Sequence, residues 1–313
     1  MGVQSAIYEI INESLKQKDA VLTVSELCEI AGVSRSGYYR WESTSGKRQD
    51  REERDQADFE LILEAYKYRG YKKGIRSIHM RLLHMGIVMN PKKIRRLMRK
   101  YNLFCPFRKA NPYRRIAKAL KTSNVAANLL NREFEAHGAR AVLLTDITYM
   151  RFQDGFLYLS TILDAYTKEA LAHVLSDSLE IDFVLETVRI MQRDHGISLQ
   201  EETLIHSDQG CHYTSVQFIK LVNDLGLRQS MSRRGNCWDN APQESFYGHM
   251  KDELADKMAL WETFDDARCD VDDWFDYYNN DRYQWQLAKL SPRQYYRYVT
   301  TGEYPLPGNP PKI

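Results

Sequence analysis

Residues 141–177 restrict how this 313-residue chain can fold more than any other stretch, because three strand-like runs follow one another there with little between them. AVLLTDITYM (141–150), GFLYLSTILDAYT (155–167) and EALAHVLSD (169–177) are the runs, and Asp154-Gly155 between the first two is a hairpin signal. A helical pattern over 181–196 comes next. It is followed by a short strand LIHSD (204–208), a helix over 215–226, a strand RQSMS (228–232) and a helix from about Asp239.

Three strands followed by helix, strand, helix, strand and helix is the order of a ribonuclease H-like α/β sheet. In that order Asp146 falls inside the first strand, Asp208 at the carboxyl end of the fourth, and Glu244 in the last helix. An Asp in the middle of an apolar strand costs several kcal/mol, roughly, unless something binds it, or else it shifts its pKa until neutral. Singly, each acid has an ordinary explanation: Asp146 paired with an Arg, Asp208 as a turn residue before Gln209-Gly210, Glu244 as an exposed helical Glu. Together, three carboxylates from separate elements suit divalent metal ions, which take oxygen ligands and polarise phosphoryl oxygens. Two such ions about 3.5–4 Å apart serve an in-line displacement at a phosphodiester. Asp146 is expected to bridge them, with Asp208 and Glu244 each holding one.

Lys251 lies seven residues beyond Glu244, about 10 Å along the same helix face. That is one to two phosphates along a DNA strand, although an exposed Lys with no role fits the position as well. The loop SRRGNCWDN (232–240), which ends at Asn240, adds Arg233 and Arg234 for phosphates and Trp238, which either stacks beside a substrate end or packs.

The formal net charge of +2 hides an asymmetry. Between Ala65 and Lys121 there are 18 Lys plus Arg and no Asp or Glu, leaving 26 basic against 42 acidic residues elsewhere. A polycationic segment on an acidic remainder suits nucleic-acid phosphates, the alternative being a solvated charged face. Within it GIRSIHMRLLHMGIVMNPKKIRRLMRKYNL (74–103) reads as two helices. Ile75, Ile78, Leu82 and Leu83 recur at helical spacing, Gly86 ends the first helix, and Asn90-Pro91 opens the second. The second carries Lys92, Lys93, Arg95, Arg96, Arg99 and Lys100 around Ile94, Leu97 and Met98, as expected of a helix-turn-helix unit laid on DNA. His79 and His84 do not share a helix face and are read as surface or packing residues. The Pro-containing, basic stretch 106–124 reads as a linker that tracks a phosphate backbone.

Upstream, residues 4–18 read as a first helix, and TVSELCEIAGVSRSGYYRWE (23–42) reads as helix, turn at Gly32, helix. Ser25 and Ser34 are placed as N-caps, with Leu27, Ile30 and Val33 as the apolar contacts. The second helix would present Arg35, Ser36, Tyr38, Tyr39 and Arg40 to DNA, unless the pair is a helical hairpin without that role. Residues 45–56 read as an exposed helix start or linker. At the other end, TFDDARCDVDDWFDYYNN (263–280) reads as an acidic helix carrying Trp274, Phe275 and Tyr278, expected either to dock on a basic surface of the same or a neighbouring subunit or to be solvated.

The length suggests two domains, at about 150 residues each. No apolar run nears the roughly 18 residues that span a bilayer, so no membrane partner is expected and the chain reads as cytoplasmic. Five scattered cysteines without CxxC spacing, Cys28, Cys105, Cys211, Cys237 and Cys269, argue against a disulfide framework and a zinc site.

At these motifs the chain resembles the DDE insertion-sequence transposases, which share the D, D(35)E spacing with retroviral integrases. It is most similar to the second-frame protein of the IS-three family. TDITY (145–149), HSDQG with Tyr213, GN-x-x-DNA-x-x-ESF (235–246), Lys251, GVSRSGYY (32–39), NPKKIRRLMRKYNL (90–103), NLLNREF (128–134) and YYNNDRYQWQLAKLSPRQY (277–295) carry the resemblance. One departure is Leu143, where the family usually has Trp.

The resemblance implies an α/β, retroviral integrase-like catalytic core over 135–300, preceded by an all-α helix-turn-helix-like region over 1–60 and a basic DNA-binding region and linker over 61–124, with a tail over 301–313. It implies that Asp146, Asp208 and Glu244 are metal-binding catalytic acids for strand cleavage followed by strand transfer from a 3′-hydroxyl. It further implies two Mg²⁺ ions with Mn²⁺ as a substitute, insertion-sequence ends and target DNA as partners, a first-frame helix-turn-helix protein or fusion to it, a homo-multimer on DNA, and a nucleoid-associated location. A DNA-binding regulator that keeps the fold without cutting is a second reading, against which the intact acid trio speaks, and a ribonuclease H acting on RNA hybrids a third.

Overall fold

The computed structural model describes residues 3–16, 22–105, 137–200, 202–232, 241–308 and 310. It divides into two compact units, residues 1–63 and 64–313.

The first unit is built on α1 (Val3–Lys16), α2 (Val24–Ile30), α3 (Arg35–Ser43) and most of α4 (Ser45–Lys67). Tyr8, Ile11, Cys28 and Tyr38 form its small core, with Leu27, Val33 and Trp41 packed around them. The turn between α2 and α3 needs Gly32, whose φ of +66° suits a residue without a side chain. Three local expectations are corrected. Thr23, not Ser25, caps α2, because Thr23 and Glu26 bond each other's backbone in a capping box. Ile30 points outward, and Tyr38 belongs to the core and is not presented on the surface. Residues 45–56, by contrast, are the exposed helix start that was one of the two expectations, the first half of α4.

The second unit begins with the basic helical pair α5 (Ile75–His84) and α6 (Pro91–Lys100). Asn90 caps α6 by accepting the Lys92 amide at 2.8 Å. Ile78 and Leu82 on α5 and Ile94, Leu97 and Met98 on α6 are buried. His79 bonds the Met89 carbonyl at 3.0 Å and His84 stacks on Tyr283, so both histidines serve packing.

The same unit holds a five-stranded sheet of β1 (Val142–Phe152), β2 (Gly155–Asp164), β3 (Ala170–Ser176), β4 (Leu204–Ser207) and β5 (Arg228–Met231) in the order β3-β2-β1-β4-β5. β1, β2 and β3 are antiparallel neighbours, whereas β4 and β5 join parallel. This is the ribonuclease H-like arrangement. Phe152 pairs with Gly155, so the hairpin loop is Gln153-Asp154, one residue earlier than the Asp154-Gly155 signal, with Gln153 at φ +49°.

Strand alternation splits the apolar residues between two faces. Leu143, Ile162, Ile205 and Met231 pack with α7 (Asp182–His195) and α8 (Val216–Asp224). Leu143, where the resemblance expects Trp, is fully buried there. Val142, Leu144, Leu159 and Leu163 pack with Phe246 and Met250 of α9 (Ala241–Met258) and with Trp274, Phe275 and Tyr278 of α10 (Phe264–Asn280). Each such side chain contributes about 1.5–3 kcal/mol on burial.

The acidic helix α10 is therefore not wholly solvated, and it meets a basic surface of its own subunit. Its aromatics are core, while its acids meet bases of the same chain: Arg69 pairs with Asp273 and Asp276, as well as with Asp281 just past the helix, and Lys257 pairs with Asp270. The Tyr71 hydroxyl also donates to Asp273, at 2.7 Å. α11 (Pro292–Thr301) closes the described helices, and none of them is long and apolar enough to cross a membrane.

Candidate active site

The parallel pairing of β1 with β4 runs from Val142↔Leu204 to Leu144↔His206. Two residues further on, the same period brings Asp146 on one strand and Asp208 just past the other, side by side on the face that Leu144 shares with α9. The strands part at this point, since β4 ends at Ser207 and β1 continues with β2 alone.

α9 is fixed over that face by a chain of hydrogen bonds. Asp146 pairs across the sheet with Thr161, and the two side chains point the same way. The Gln243 amide donates to the Thr161 hydroxyl, Thr161 lies 2.7 Å from the Tyr247 hydroxyl, and Tyr247 donates to the Asp146 main-chain carbonyl at 2.6 Å. Gln243, Thr161 and Tyr247 are all buried. Pinning Gln243 and Tyr247, one turn apart, sets Glu244 and then Lys251 along the flank of the helix beside Asp146. Glu244 is exposed and Lys251 half-buried.

Electrostatics tie the four residues together. The Asp146 carboxylate is partly open at its surface but ringed by protein, and it accepts the Ile147 amide at 2.8 Å. Burial pushes its pKa up to about 7, the negative charges of Asp208 and Glu244 add to that rise, and the Ile147 amide and Lys251 oppose it. Burial lowers the Lys251 pKa, and Asp146 holds it up. Tyr247 and Tyr213 are kept neutral by burial and by Asp146, their pKa values lying well above the ordinary range.

Asp208 is exposed, and its Oδ1 accepts the Gly210 amide at 2.8 Å in a tight turn. A Cβ on Gly210 would stand 2.9 Å from that oxygen, so glycine leaves the carboxylate its room.

Another buried acid shows what a structural role looks like. Asp164 and Glu169 are buried against Arg140, at 3.5 and 2.6 Å, in an ion group that the sequence reading did not anticipate. Asp146 is held among like charges instead, with Lys251 as the opposing one.

Oxygen donors alone, carrying mutual repulsion that a cation relieves, are the chemistry a hard divalent ion takes. Among the described residues, however, no three His, Cys, Asp or Glu side chains stand arranged to hold one ion. Of the expected DNA-contact residues, Lys92, Arg95, Arg96, Arg99 and Lys100 are exposed on α6 and Lys93 is half-buried. Arg233, Arg234, Trp238 and Asn240 lie outside the described residues, as does the linker over 106–124. Tyr247, Gln243 and Thr161 were missed by the sequence reading. The signal for the first two was two polar residues at i and i+4 bracketing Glu244 on a core-facing helix.

Residues 136–237 match the family described as Integrase core domain, and residues 225–292 match a second family of that description. Residues 53–111 match the HTH-like domain family. The insertion element IS600 uncharacterized 31 kDa protein of Shigella sonnei is 30% identical over 270 residues, covering 85% of this chain and 96% of its own. The putative transposase InsK for insertion sequence element IS150 of Escherichia coli K12 is also 30% identical, over 75% of this chain and 81% of its own. This chain belongs to the insertion-sequence transposases of the IS-three family. Transposase InsF for insertion sequence IS3A, from Escherichia coli K12, is 25% identical over 90% of this chain and 96% of its own. In this transposase the first integrase-core match contains Asp146 and Asp208, the second contains Glu244 and Lys251, and the HTH-like match contains α5 and α6.

Proposed function

We propose that this transposase cleaves and rejoins DNA at insertion-sequence ends, in a reaction that depends on divalent metal bound by Asp146, Asp208 and Glu244. The observation that carries the reading is the environment of Asp146: a carboxylate set among two others from separate elements, its proton affinity raised by burial and by their charge. Such an arrangement is costly in the free protein and useful only when positive charge enters it. Two Mg²⁺ ions, or Mn²⁺ in their place, would activate the attacking oxygen and stabilise the leaving one.

The protein's own groups position and charge the site. Asp146 is set between two anchors, its side chain on the Ile147 amide and its carbonyl on Tyr247, so that it is aimed before substrate arrives. Lys251, one turn past Tyr247, is placed to take a phosphate of the strand being cut. The exposed bases of α6, with Arg233, Arg234, Trp238 and Asn240, are assigned to the DNA around it. In this reading residues 61–124 form the DNA-binding arm and residues 135–300 the catalytic region. Two element ends must meet for transposition, which requires a multimer on DNA, with the first-frame helix-turn-helix protein supplying end recognition in the nucleoid.

The test uses labelled element ends incubated with the chain, with and without that first-frame protein, in Mg²⁺, Mn²⁺ or chelator. Cleavage and joining are expected with either metal and not with chelator; binding without cutting under every metal condition would overturn the proposal.

A further inference from the structure

Trp285 is a half-exposed aromatic ring on a loop whose neighbouring side chains are buried, with the His79 ring 6.2 Å away. It opens a short helical turn, Trp285–Leu287, inside a loop closed by the Gln284↔Leu290 bridge. Leu287, Ala288 and Leu290 are buried, yet Trp285 is 48% exposed. Hydrogen bonds tie the loop down: the Lys289 amide bonds the Gln284 carbonyl at 3.1 Å, and His84 bonds the Lys289 carbonyl at 3.0 Å. Ala288 and Lys289 both sit in left-handed backbone, at φ +54° and +66°, a conformation that costs a residue with a side chain about 1 kcal/mol or more each. Such strain persists only where the surroundings hold it.

Two cations flank the exposed ring. Arg76 of α5 stands 5.9 Å and Lys289 5.3 Å from its centre. Neither closes over it as Arg81 closes over Tyr68, at 3.5 Å. The ring edges a cavity of about 350 Å³ that Pro242, Ser245 and His249 also line, on the flank of α9 away from Glu244 and Lys251 by helical spacing. A flat apolar face with bases beside it and room in front is the chemistry that takes an unpaired nucleobase together with its adjoining phosphate.

We propose that Trp285, with Arg76 and Lys289, is a stacking site for an unpaired base of the substrate DNA, across α9 from the acids. It rests on the reading that this transposase acts on DNA ends. Stacking holds a strand that has left the duplex, so the site fixes the unpaired strand at an element end while the acids work on the phosphodiester.

The experiment compares three duplexes by fluorescence anisotropy with the full chain: blunt, carrying a short unpaired tail, and carrying the same tail with abasic sugars, which keeps the phosphates and removes the bases. The native chain should bind the base-bearing tail about five-fold or more tighter than the abasic one, the scale of one stacked base. Trp285→Ala should abolish that difference while still binding the blunt duplex, and Trp285→Phe, which keeps a ring and guards against misfolding, should retain part of it. Equal binding of the two tails by the native chain, or an undiminished difference in folded Trp285→Ala, would overturn the inference alone. Failure to bind any duplex would overturn both it and the reading beneath it.

Discussion

The Tyr247 hydroxyl donates a 2.6 Å hydrogen bond to the main-chain carbonyl of Asp146, joining the helix that bears Glu244 to the strand that bears Asp146. The bond lies in the protein interior, and Thr161 completes it from the neighbouring strand. Tyr247→Phe removes the donor and leaves the Thr161 hydroxyl and the carbonyl short of a partner, at a cost of about 1–3 kcal/mol. Cleavage is expected to fall further than this loss of stability explains, because Glu244 loses its placement. Urea unfolding measured beside cleavage of labelled ends separates the two effects; equal cleavage by variant and native protein would deny Tyr247 its positioning role.

The raised pKa of Asp146 makes stability depend on pH with a definite sign. With a folded value near 7 and an ordinary value of 3.8, the folded chain holds a proton that the unfolded chain has released between those limits. This group's contribution is therefore greatest below about pH 4, declines as pH rises to about 7, and is flat above. Asp146→Asn should remove that slope and stabilise the metal-free protein at pH 8 by about 1–2 kcal/mol while abolishing cleavage, the trade expected where function holds a carboxylate against its surroundings. Thermal melts of both proteins from pH 5 to 8 in chelator check the sign.

Gly210→Ala sets a methyl group 2.9 Å from the Asp208 carboxylate. Its main cost is expected in metal affinity, with a several-fold rise in the Mg²⁺ concentration for half-maximal cleavage and a stability change of about 1 kcal/mol or less. A metal titration of activity reads this directly, and an unchanged midpoint would mean that Asp208 has room to move.

Arg69 holds three carboxylates around α10, and all of these groups are partly open to solvent. Screening limits what the cluster contributes, so Arg69→Ala should cost about 1 kcal/mol in low salt and less in 0.5 M salt. Melting at the two ionic strengths distinguishes this from a salt-independent packing loss.

Where Asp146, Asp208 and Glu244 fall in the fold was legible in the sequence, because the strand-like and helical patterns around them place each on its own element. The order of strands followed for the same reason. What local pattern does not carry is pairing register, and the remaining features depend on it. Thr161 meets Asp146 only because β1 and β2 pair as they do, and Gln243 and Tyr247 reach them only because α9 crosses that face. The Arg140–Asp164–Glu169 ion group is likewise assembled from residues 24 and 29 positions apart. Smaller misreadings had local causes. Thr23 outcompeted Ser25 as a cap because Glu26 stands three residues after it, and Tyr38 is buried because α1 packs over α3 through Tyr8.

The central claim is that Asp146, Asp208 and Glu244 act as one metal-dependent site, and Glu244→Gln tests it most directly because Glu244 is exposed and the substitution keeps its size while removing its charge. Cleavage of labelled element ends in Mg²⁺ is the measurement, with folding checked by thermal melting and DNA binding by anisotropy. The account predicts that Glu244→Gln folds and binds DNA as the native chain does while cleavage falls about a thousand-fold or more, the scale for losing an essential catalytic group. Cleavage within ten-fold of the native rate would contradict it.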